Sequence, residues 1–405
     1  MTDLPIPVSG PNDPAVTDAI DELSMMVGVD PETLEGRQIS QMLHTVIKLI
    51  PDGRHAGELK LLNASLKELR YAYSVFANYA DTPKITIFGS ARTPENHPDY
   101  RHAVEFARAM AEHGWMIITG AGDGIMKAGH EGPGRTASFG VAIRLPFETT
   151  ANEFIAGDEK LINFRYFFTR KLMFVSQSNA VALFPGGFGT QDENFETLTL
   201  IQTGKSHMVP VVLLEGGEGG ATRDDGYWSD WTNFIRRQLL DRGWISPEDM
   251  SLFYAARDSG DAVDHILQFY RNYHSARYVR EQFVIRLKHS ISEEQIDEIN
   301  TDFADLVESG SITQRKAFDA EDDVRDLPRI CFHHNRRKWG RVRELIDRLN
   351  AYVAPSGAPH ATERGEGRPA TRSDTDAAGR VPGKDNGEED AASAADDSER
   401  TVDAM

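Results

Sequence analysis

Short apolar runs alternate with longer amphipathic stretches through the middle of the chain. The runs are five or six residues long, and most are bounded by turn residues, which is typical of buried parallel strands. Five such runs follow one another: Lys84–Phe88, Trp115–Thr119, Ser138–Ile143, Asn179–Phe184 and Val209–Leu214. The stretches between them, such as 99–113 and 164–176, have apolar residues at helical spacing. This alternation predicts an α/β fold with a Rossmann-like, doubly wound parallel sheet, which we place at residues 81–275.

The pattern before this domain is helical throughout. Residues 14–80 contain three candidate helices, at Pro14–Val27, Pro31–Ile50 and Gly57–Tyr79. Aspartates precede the first two, and proline stands at their first helical position, as is common at helix starts. We interpret this region as a helical extension that covers the central domain or faces a second copy of the chain.

The pattern after the central domain changes again. Residues 278–353 predict three strands and two helices in the order βαββα. That order suggests a small α+β domain, ferredoxin-like or ACT-like by analogy of fold alone. Residues 1–13 are rich in Pro, Gly and Asp, and residues 354–405 form an acidic tail almost without large apolar side chains. We expect both segments to be disordered, because they cannot bury enough apolar surface to offset the entropy of ordering.

Composition narrows the class of protein. The chain has 405 residues and a formal net charge of −19, which argues against a nucleic-acid backbone as partner. Its single cysteine, Cys331, rules out an internal disulfide and is compatible with a reducing compartment. The first residues have neither a basic start nor an apolar core, and no apolar run approaches the ~18 residues of a membrane span. We therefore expect a cytoplasmic protein with no membrane partner.

A glycine-rich turn follows the fourth of the apolar runs. The residues after Phe184 are Pro185-Gly186-Gly187-Phe188-Gly189-Thr190, and they cannot continue a strand. Thr190 is predicted to cap a helix that opens at Gln191. A strand, a glycine turn and a helix N-terminus together present N–H groups and a positive dipole end to an anion, and phosphate is the anion we expect.

Two more glycine segments follow the first and second runs. Gly89 ends the first run, and Gly120-Ala121-Gly122-Asp123-Gly124 ends the second. Because ligands of doubly wound sheets bind at the carboxyl ends of the strands, these segments are expected to meet the turn at 186–189. A dinucleotide fingerprint fails at Ile125, where its third glycine belongs, and lacks the acidic residue that contacts ribose. The pattern favours a mononucleotide over NAD.

Charged residues flank the turn at 186–190. Glu193 follows it, and Arg170 and Lys171 lie on the predicted helix Phe164–Ser176. A carboxylate in a first helical turn often serves only the helix dipole. Next to an anion site, however, Glu193 could stabilise an oxocarbenium-like ribose and activate water, with Arg170 to fix the carboxylate or the substrate. Lys171 lacks the pyridinium partner that a pyridoxal phosphate enzyme would need, so we interpret it as a substrate contact.

Three further patterns have structural interpretations. The stretch Tyr227–Trp244 predicts an amphipathic helix that covers the sheet. The acidic run Asp319–Asp326 is more typical of a solvated loop than of a metal site. Cys331, His333 and His334 alternate across a predicted strand, so too few of them face one side to bind a metal. We expect no metal site.

The same residues carry a resemblance to a known family. Arg170-Lys171 with Met173-Phe174, followed by Pro185-Gly186-Gly187-x-Gly189-Thr190-x-x-Glu193, resembles the signature of the Lonely Guy (LOG) family. That family, often labelled lysine decarboxylase in error, hydrolyses nucleoside 5′-monophosphates at the N-glycosidic bond. The resemblance covers roughly residues 84–253. It implies that Arg170 and Glu193 are the catalytic pair. It also implies substrate contacts at Gly89, Ser90, Gly120, Gly122, Gly124, Lys171, Gly186, Gly187, Phe188, Gly189, Thr190 and Thr199.

The expected function follows from this resemblance and from the turn. We expect a nucleoside 5′-monophosphate to be hydrolysed to free base and ribose 5-phosphate, without a cofactor, by a homodimer or higher homo-oligomer. The base could be a purine, a pyrimidine or a cytokinin, because its pocket is predicted to come from the loop Arg144–Gly157, which has no short motif. The alternative is a carrier or sensor that binds a nucleotide or phosphorylated cofactor on the same fold without turning it over.

Overall fold

The structure is a computed structural model. It describes residues 10, 12–144, 151–321 and 323–354. The predicted disordered tail and most of the predicted disordered N-terminal segment lie outside the described residues, as does part of the loop expected to contact the base.

Seven of the described strands form one parallel sheet. They are β1 (Lys84–Phe88), β2 (Met116–Thr119), β3 (Ser138–Ile143), β4 (Leu161–Phe164), β5 (Ala180–Leu183), β6 (Val211–Leu213) and β7 (Tyr254–Ala255). Their order is β4-β3-β2-β1-β5-β6-β7, so the chain builds outward from β1 and then returns to add β5 on its other side. The predicted α/β, doubly wound class is confirmed. The reversal of strand order lies between β1 and β5, which is where such sheets bind ligands.

Helices precede the sheet and connect its strands. The extension contains α1 (Pro14–Met26), α2 (Leu34–Lys48) and α3 (Ala56–Ala77). The connecting helices are α4 (Pro98–Glu112), α5 (Ile125–Glu131), α6 (Phe167–Ser176), α7 (Phe188–Gln202), α8 (Tyr227–Phe234) and α9 (Ser259–Phe269). A π-helical stretch, Ile235–Leu240, continues α8, so the helix predicted over Tyr227–Trp244 changes its winding half-way.

Each face of the parallel sheet is covered by a different set of helices. On one face, Ile85, Ile117 and Val212 pack with side chains of α4 and α9. On the other face, Ile118 and Phe139 pack with α6 and with the end of α3. The ring of Phe76 on α3 stacks on Phe139 with centroids 4.6 Å apart, so the helical extension contributes to the core.

The C-terminal part is built around a second sheet. Its strands are β8 (Tyr273–Val279), β9 (Gln282–Leu287), β10 (Val307–Arg315) and β11 (Arg329–His334), and its helices are α10 (Glu293–Asp302) and α11 (Trp339–Ala351). The sheet is antiparallel, in the order β10-β11-β9-β8. The small α+β unit is confirmed, but its element order is ββαββα, whereas a ferredoxin-like unit has βαββαβ. Compared with the predicted βαββα order, the additional strand is β8, whose half-buried, polar pattern did not predict a strand.

The two sheets share one hydrophobic core. Leu183 and Leu213 of the parallel sheet belong to the same buried cluster as Phe283, Phe332 and Leu345 of the C-terminal part. Because this cluster joins the two sheets, the predicted boundary at residues 275–278 does not separate two independent interiors. It falls inside β8.

Two further predictions need correction. The segment before α6 contains β4, which sequence patterns did not predict because its four residues include the polar Asn163 and it forms the edge of the sheet. The acidic run Asp319–Asp326 is not wholly solvated. Glu321 within it is fully buried between Arg286 and Arg329. The sequence shows that residue 321 is charged, but it does not show that Arg286 of β9 and Arg329 of β11 pack against it.

Among the described residues, no helix is long and apolar enough to cross a membrane.

Candidate active site

A cleft of about 880 Å³ opens at the carboxyl ends of β1, β2 and β5. It lies at the reversal of strand order, as the glycine segments predict. Its walls bring together most of the predicted site residues: Gly89, Ser90, Gly120, Gly122, Arg170, Gly186, Gly187, Phe188, Gly189, Thr190 and Glu193. These residues come from four separate segments of the chain, so the cleft is a product of the fold.

The turn after β5 leads directly into α7. The helix begins at Phe188 with Gly187 as its N-cap, so the prediction that Thr190 caps the helix is wrong. Thr190 is instead the third helical residue, and its side chain fills the space where a Cβ on Gly186 would lie. Only glycine fits at position 186 without displacing Thr190. The first N–H groups of a helix have no partner within it, so the start of α7 can donate to an anion in the cleft.

Tyr227 supports this turn from outside the cleft. Its hydroxyl donates to the carbonyl oxygen of Gly186 at 2.6 Å and accepts from Nε2 of Gln191 at 2.7 Å. Tyr227 is itself placed by Glu215, whose Oε1 accepts from its backbone N–H at 3.1 Å. Sequence reasoning missed this residue, since it treated Tyr227–Trp244 as cover for the sheet. Tyr227 and Gly186 are 41 residues apart, and no local pattern connects them.

The three glycine segments are tied to one another through the backbone. The N–H of Ser90 donates to the carbonyl of Pro185, and the N–H of Ile125 donates to the carbonyl of Ser90, each at 3.1 Å. Gly124 has a φ of 61°, and a Cβ there would collide with the Ser90 carbonyl. Gly124 therefore holds the second turn against the first and does not itself line the cleft.

A buried histidine braces the second glycine turn. His130 has no exposed surface, and its Nε2 lies 2.9 Å from the carbonyl oxygen of Phe139. Its Nδ1 faces the Asn152 side chain, whose Nδ2 donates to the carbonyls of Ala121 and Gly122 at 3.1 and 3.0 Å. Burial lowers the pKa of His130 to about 4, so the imidazole is neutral at physiological pH. This network fixes the backbone that carries Gly122 into the cleft.

Glu193 is a buried acid at the edge of the cleft. It is 8% exposed, and this burial raises the pKa of its carboxyl to about 7. The positive charges of Lys171 and Arg170 act in the opposite direction but do not offset the desolvation. Near neutral pH the group therefore exchanges a proton readily, as a general base must.

The two cations on α6 have different contacts. Lys171 Nζ lies 3.8 Å from Oε2 of Glu193. It lies closer to Asp192 and Glu196, which are on α7 together with Glu193. Arg170 donates from Nε to the carbonyl of Val141 at 2.9 Å, and its guanidinium lies 5.1 Å from the Phe174 ring centroid. Both cations therefore act on Glu193 through their charge, and the prediction that Arg170 fixes Glu193 or the substrate stays a prediction. Arg170 lines the cleft, and Lys171 does not.

Thr199 lies apart from these residues. It is on the exposed surface of α7, and its carbonyl accepts from the side chain of Thr203 at 2.7 Å. Thr199 does not line the cleft of this chain.

Several cleft residues were not found from the sequence. They include one arginine and four apolar residues, Arg92, Met126, Ile143, Phe167 and Phe174, together with the polar Gln191 and Asp192. Apolar residues at helix and strand ends give no signal that separates a ligand contact from a core position. Arg92 follows Gly89 by three positions, and that proximity was the available signal.

No group of three or more His, Cys, Asp or Glu side chains within the described ranges could hold a metal ion. The neighbouring histidines of β11 have other contacts. His333 Nδ1 lies 2.8 Å from Ser309 Oγ, and His334 Nδ1 lies 2.9 Å from the Tyr278 hydroxyl.

Comparison with known proteins finds similarity over the same part of the chain. The family model described as "Possible lysine decarboxylase" matches residues 120–266, which include the second glycine turn, Arg170, Glu193 and the turn between them. The chain is 34% identical over 105 residues to a probable cytokinin riboside 5′-monophosphate phosphoribohydrolase, LOGL3, of Oryza sativa subsp. japonica. It is 31% identical over 100 residues to the cytokinin riboside 5′-monophosphate phosphoribohydrolase LOG7 of Arabidopsis thaliana.

Over its central domain the chain is similar to proteins of the LOG family. The aligned stretches cover 26% and 25% of this chain and span less than half of those two LOG proteins, 44% and 42%. A longer alignment, with the probable LOGL5 enzyme of Oryza sativa subsp. japonica, is 26% identical over 179 residues and covers 43% of this chain and 67% of that protein. The helical extension and most of the C-terminal α+β unit lie outside the residues that the family model matches.

Solved structures similar to this chain include a molybdenum cofactor carrier protein and a molybdenum cofactor binding protein. The molybdenum cofactor carrier protein of Chlamydomonas reinhardtii is 22% identical, with 46% of this chain and 97% of that chain covered and a TM-score of 0.33. The molybdenum cofactor binding protein of Rippkaea orientalis is 18% identical, with 46% and 96% covered and a TM-score of 0.33. At these TM-scores the fold assignment rests on the strand order described above.

Proposed function

We propose that this protein hydrolyses the N-glycosidic bond of a nucleoside 5′-monophosphate, releasing the free base and ribose 5-phosphate. The observation that carries the proposal is the position of Glu193. A buried carboxyl with a pKa of about 7 lies at the edge of the cleft, about one helical turn beyond the glycine turn that opens α7. An anion site and a proton acceptor so placed match the two ends of a nucleotide ribose. The names of the similar LOG proteins describe the same reaction class.

The phosphate is assigned to the turn at 186–190. Gly186 and Gly187 let the backbone approach the ligand closely, and the N–H groups at the start of α7 face the cleft mouth. Arg92 and Arg170 line the same cleft and add positive charge. A dianionic phosphate is favoured here even though the whole protein carries a net charge of −19.

The chemistry is assigned to Glu193. Water attacks the anomeric carbon while the C–N bond breaks, and the bonding electron pair leaves with the base. The carboxylate of Glu193 accepts a proton from the attacking water and faces the positive charge that develops on the ribose. The departing base takes up one proton from solvent and Glu193 returns one proton to solvent, so that the OH of the water ends on ribose 5-phosphate and one hydrogen on the base. A carboxylate with a pKa near 7 is a stronger base than one at the usual value of 4.5, so burial serves this step.

We also propose that the active form is a homodimer. Helices α6 and α7 expose an apolar surface beside the cleft, composed of Phe167, Phe168, Leu172, Phe188 and Phe195. Phe188 is 98% exposed, which is unusual for an aromatic residue at the start of a binding helix. A second copy of the chain would cover this surface and bring its own residues to the cleft mouth. Light scattering after gel filtration should give twice the chain mass of 45.1 kDa.

One experiment tests the reaction. The purified protein is incubated with AMP, GMP, CMP and isopentenyladenosine monophosphate, and free base and ribose 5-phosphate are measured by chromatography and mass spectrometry. We expect one or more of these nucleotides to yield base and ribose 5-phosphate in equal amounts. Glu193→Gln should abolish release but still bind the nucleotide in calorimetry. Binding of nucleotides without release by the unaltered protein would contradict the hydrolase proposal and support the carrier or sensor alternative.

A further inference from the structure

Three carboxylates surround one ammonium group at the edge of the cleft. Lys171 Nζ lies 2.7 Å from Oε2 of Glu196, 2.8 Å from Oδ2 of Asp192 and 3.8 Å from Oε2 of Glu193. The first two distances are those of charge-assisted hydrogen bonds, whereas 3.8 Å is too long for one. The ammonium group is therefore bound to the two acids that flank Glu193 on α7, and Glu193 receives only its more distant field.

We propose that Asp192 and Glu196 are positioning residues that hold Lys171 away from Glu193 and so keep Glu193 able to accept a proton from water. This inference rests on the proposed function, because it assigns these residues a part in the same reaction. It gives the two acids a role that neither the glycine turn nor the Arg170 and Glu193 pair requires.

The different exposure of the three acids explains why Lys171 stays bonded to Asp192 and Glu196 and not to Glu193. The side chains of Asp192 and Glu196 are 63% and 33% exposed, so water supports their negative charge. The side chain of Glu193 is 11% exposed and has little such support. When one cation is shared among them, the two hydrated acids keep it at hydrogen-bond distance, and the buried acid is the one whose pKa is raised.

The other charged groups around Glu193 do not replace Lys171. From α6, Arg170 contributes a favourable charge, but its Nε is bonded to the carbonyl of Val141. From α7, Asp192 and Glu196 repel the carboxylate form of Glu193. Arg92 lines the same cleft and is placed for a ligand phosphate. Lys171 is therefore the cation whose approach to Glu193 the two flanking acids control.

The direct test measures the titration of Glu193 without using catalysis. Protein labelled with ¹³C at the glutamate carboxyls is titrated by NMR, and the Glu193 signal is the one missing from Glu193→Gln. In the double variant Asp192→Asn, Glu196→Gln, Lys171 is free to approach Glu193. We expect the Glu193 midpoint to fall from about 7 by about one pH unit or more. An unchanged or higher midpoint would overturn the proposal.

A second background separates positioning from simple charge repulsion. Lys171→Met alone should raise the Glu193 midpoint, because it removes a favourable charge. If Asp192 and Glu196 act through the lysine, adding Asp192→Asn and Glu196→Gln to Lys171→Met should shift the midpoint by less than half of the shift seen with Lys171 present. A shift of equal size in both backgrounds would show that the acids act on Glu193 directly and would overturn the positioning role.

A matched control and a catalytic readout complete the design. Asp225→Asn removes one negative charge from a side chain that is 95% exposed, and it should leave the Glu193 midpoint unchanged. In the double variant, the acid limb of kcat against pH should move down together with the NMR midpoint. If the NMR midpoint moves as expected but no nucleotide is hydrolysed at any pH, the hydrolase proposal fails and the positioning role stands. If the enzyme is active and the midpoint of the double variant does not move, the positioning role fails alone.

Discussion

Glu193 and Glu321 are both buried acids with arginine or lysine neighbours, yet their pKa values move in opposite directions. Burial raises the pKa of both carboxyls. Around Glu321, Arg286 Nη2 lies at 2.8 Å and Arg329 Nε at 3.3 Å, and the backbone N–H of Phe318 donates at 3.0 Å. These direct hydrogen bonds lower its pKa to about 2, whereas Glu193, with Lys171 at 3.8 Å, has a pKa of about 7.

The difference shows which feature separates a structural acid from a reactive one. Burial alone does not, since Glu321 is the more deeply buried of the two. What differs is whether cations donate directly to the carboxylate. In the C-terminal part, Arg286 and Arg329 donate directly to Glu321 and hold it in place. In the cleft, Lys171 donates to Asp192 and Glu196 and not to Glu193.

The largest expected effect comes from removing the reactive acid. Glu193→Gln should lower kcat by about 10²–10⁴-fold, because a general base is lost while the shape of the side chain is kept. Steady-state release of base measures it. Glu321→Gln is the matched change in the other region, and its folded form should keep kcat within about twofold. Equal losses from both changes would break the comparison.

The converse change tests the structural acid. Glu321→Gln leaves the fully buried Arg329 and the nearly buried Arg286 without their shared carboxylate. We expect the free energy of unfolding to fall by about 3–5 kcal/mol, measured by urea titration at pH 7. Glu193→Gln should not destabilise the protein under the same conditions. A loss below ~1 kcal/mol in Glu321→Gln would show that the arginines find other partners.

The pH dependence of stability sharpens the contrast. The raised pKa of Glu193 means that the folded state binds its proton more tightly than the unfolded chain, so stability is lost as pH rises from about 4.5 through 7. Glu193→Gln removes that loss and should be more stable than the unaltered protein by about 1–3 kcal/mol at pH 8, but equal to it at pH 4.5. Urea titrations at the two pH values measure the difference. A constant offset would contradict the assignment.

For Glu321 the sign is reversed. Its pKa is lowered, so its contribution to stability is fully present above pH 4.5 and is lost as pH falls from there through about 2. Acid unfolding followed by circular dichroism should therefore be less steep in Glu321→Gln than in the unaltered protein between pH 4.5 and 2. An identical pH profile would mean that Glu321 does not titrate with unfolding.

The smallest expected effect extends the comparison to tyrosines. Tyr227→Phe removes the hydroxyl that bonds the Gly186 carbonyl and should lower kcat/KM by about 2- to 10-fold, mostly through KM for the nucleotide. Tyr254→Phe is the matched control, because its hydroxyl bonds Asp261, away from the cleft, at 3.0 Å. Kinetics at fixed pH measure both variants. Equal KM values for the two variants would show that Tyr227 does not position the turn.

The sequence predicted the parts of the site that depend on local pattern. Strand ends with glycines located three of the cleft walls, and the spacing of Glu193 from the glycine turn placed it beside an anion site. It did not predict pairs formed by folding. Tyr227 of α8 meets Gly186 in the turn after β5, and Glu321 meets arginines of β9 and β11.

The choice between Arg170 and Lys171 shows the same limit. They are adjacent on one helix, where successive residues point about 100° apart, so their order alone does not say which faces the cleft. Only the packing of α6 decides this. The helix cap was mispredicted for a related reason, because Thr190 resembles a cap by type, whereas the turn is tight enough for the helix to begin three residues earlier.

The hydrophobic core shared by the two sheets limits where this chain can be shortened or recombined. Ending the chain before Tyr273 would bare the side chains of Leu183 and Leu213 that Phe283 and Phe332 now cover. A chain limited to the residues that the family model matches would expose this apolar surface to solvent and would tend to aggregate. The C-terminal part therefore cannot be removed without exposing the core of the parallel sheet. Recombination that exchanged this part would also have to exchange the apolar surface on which it packs.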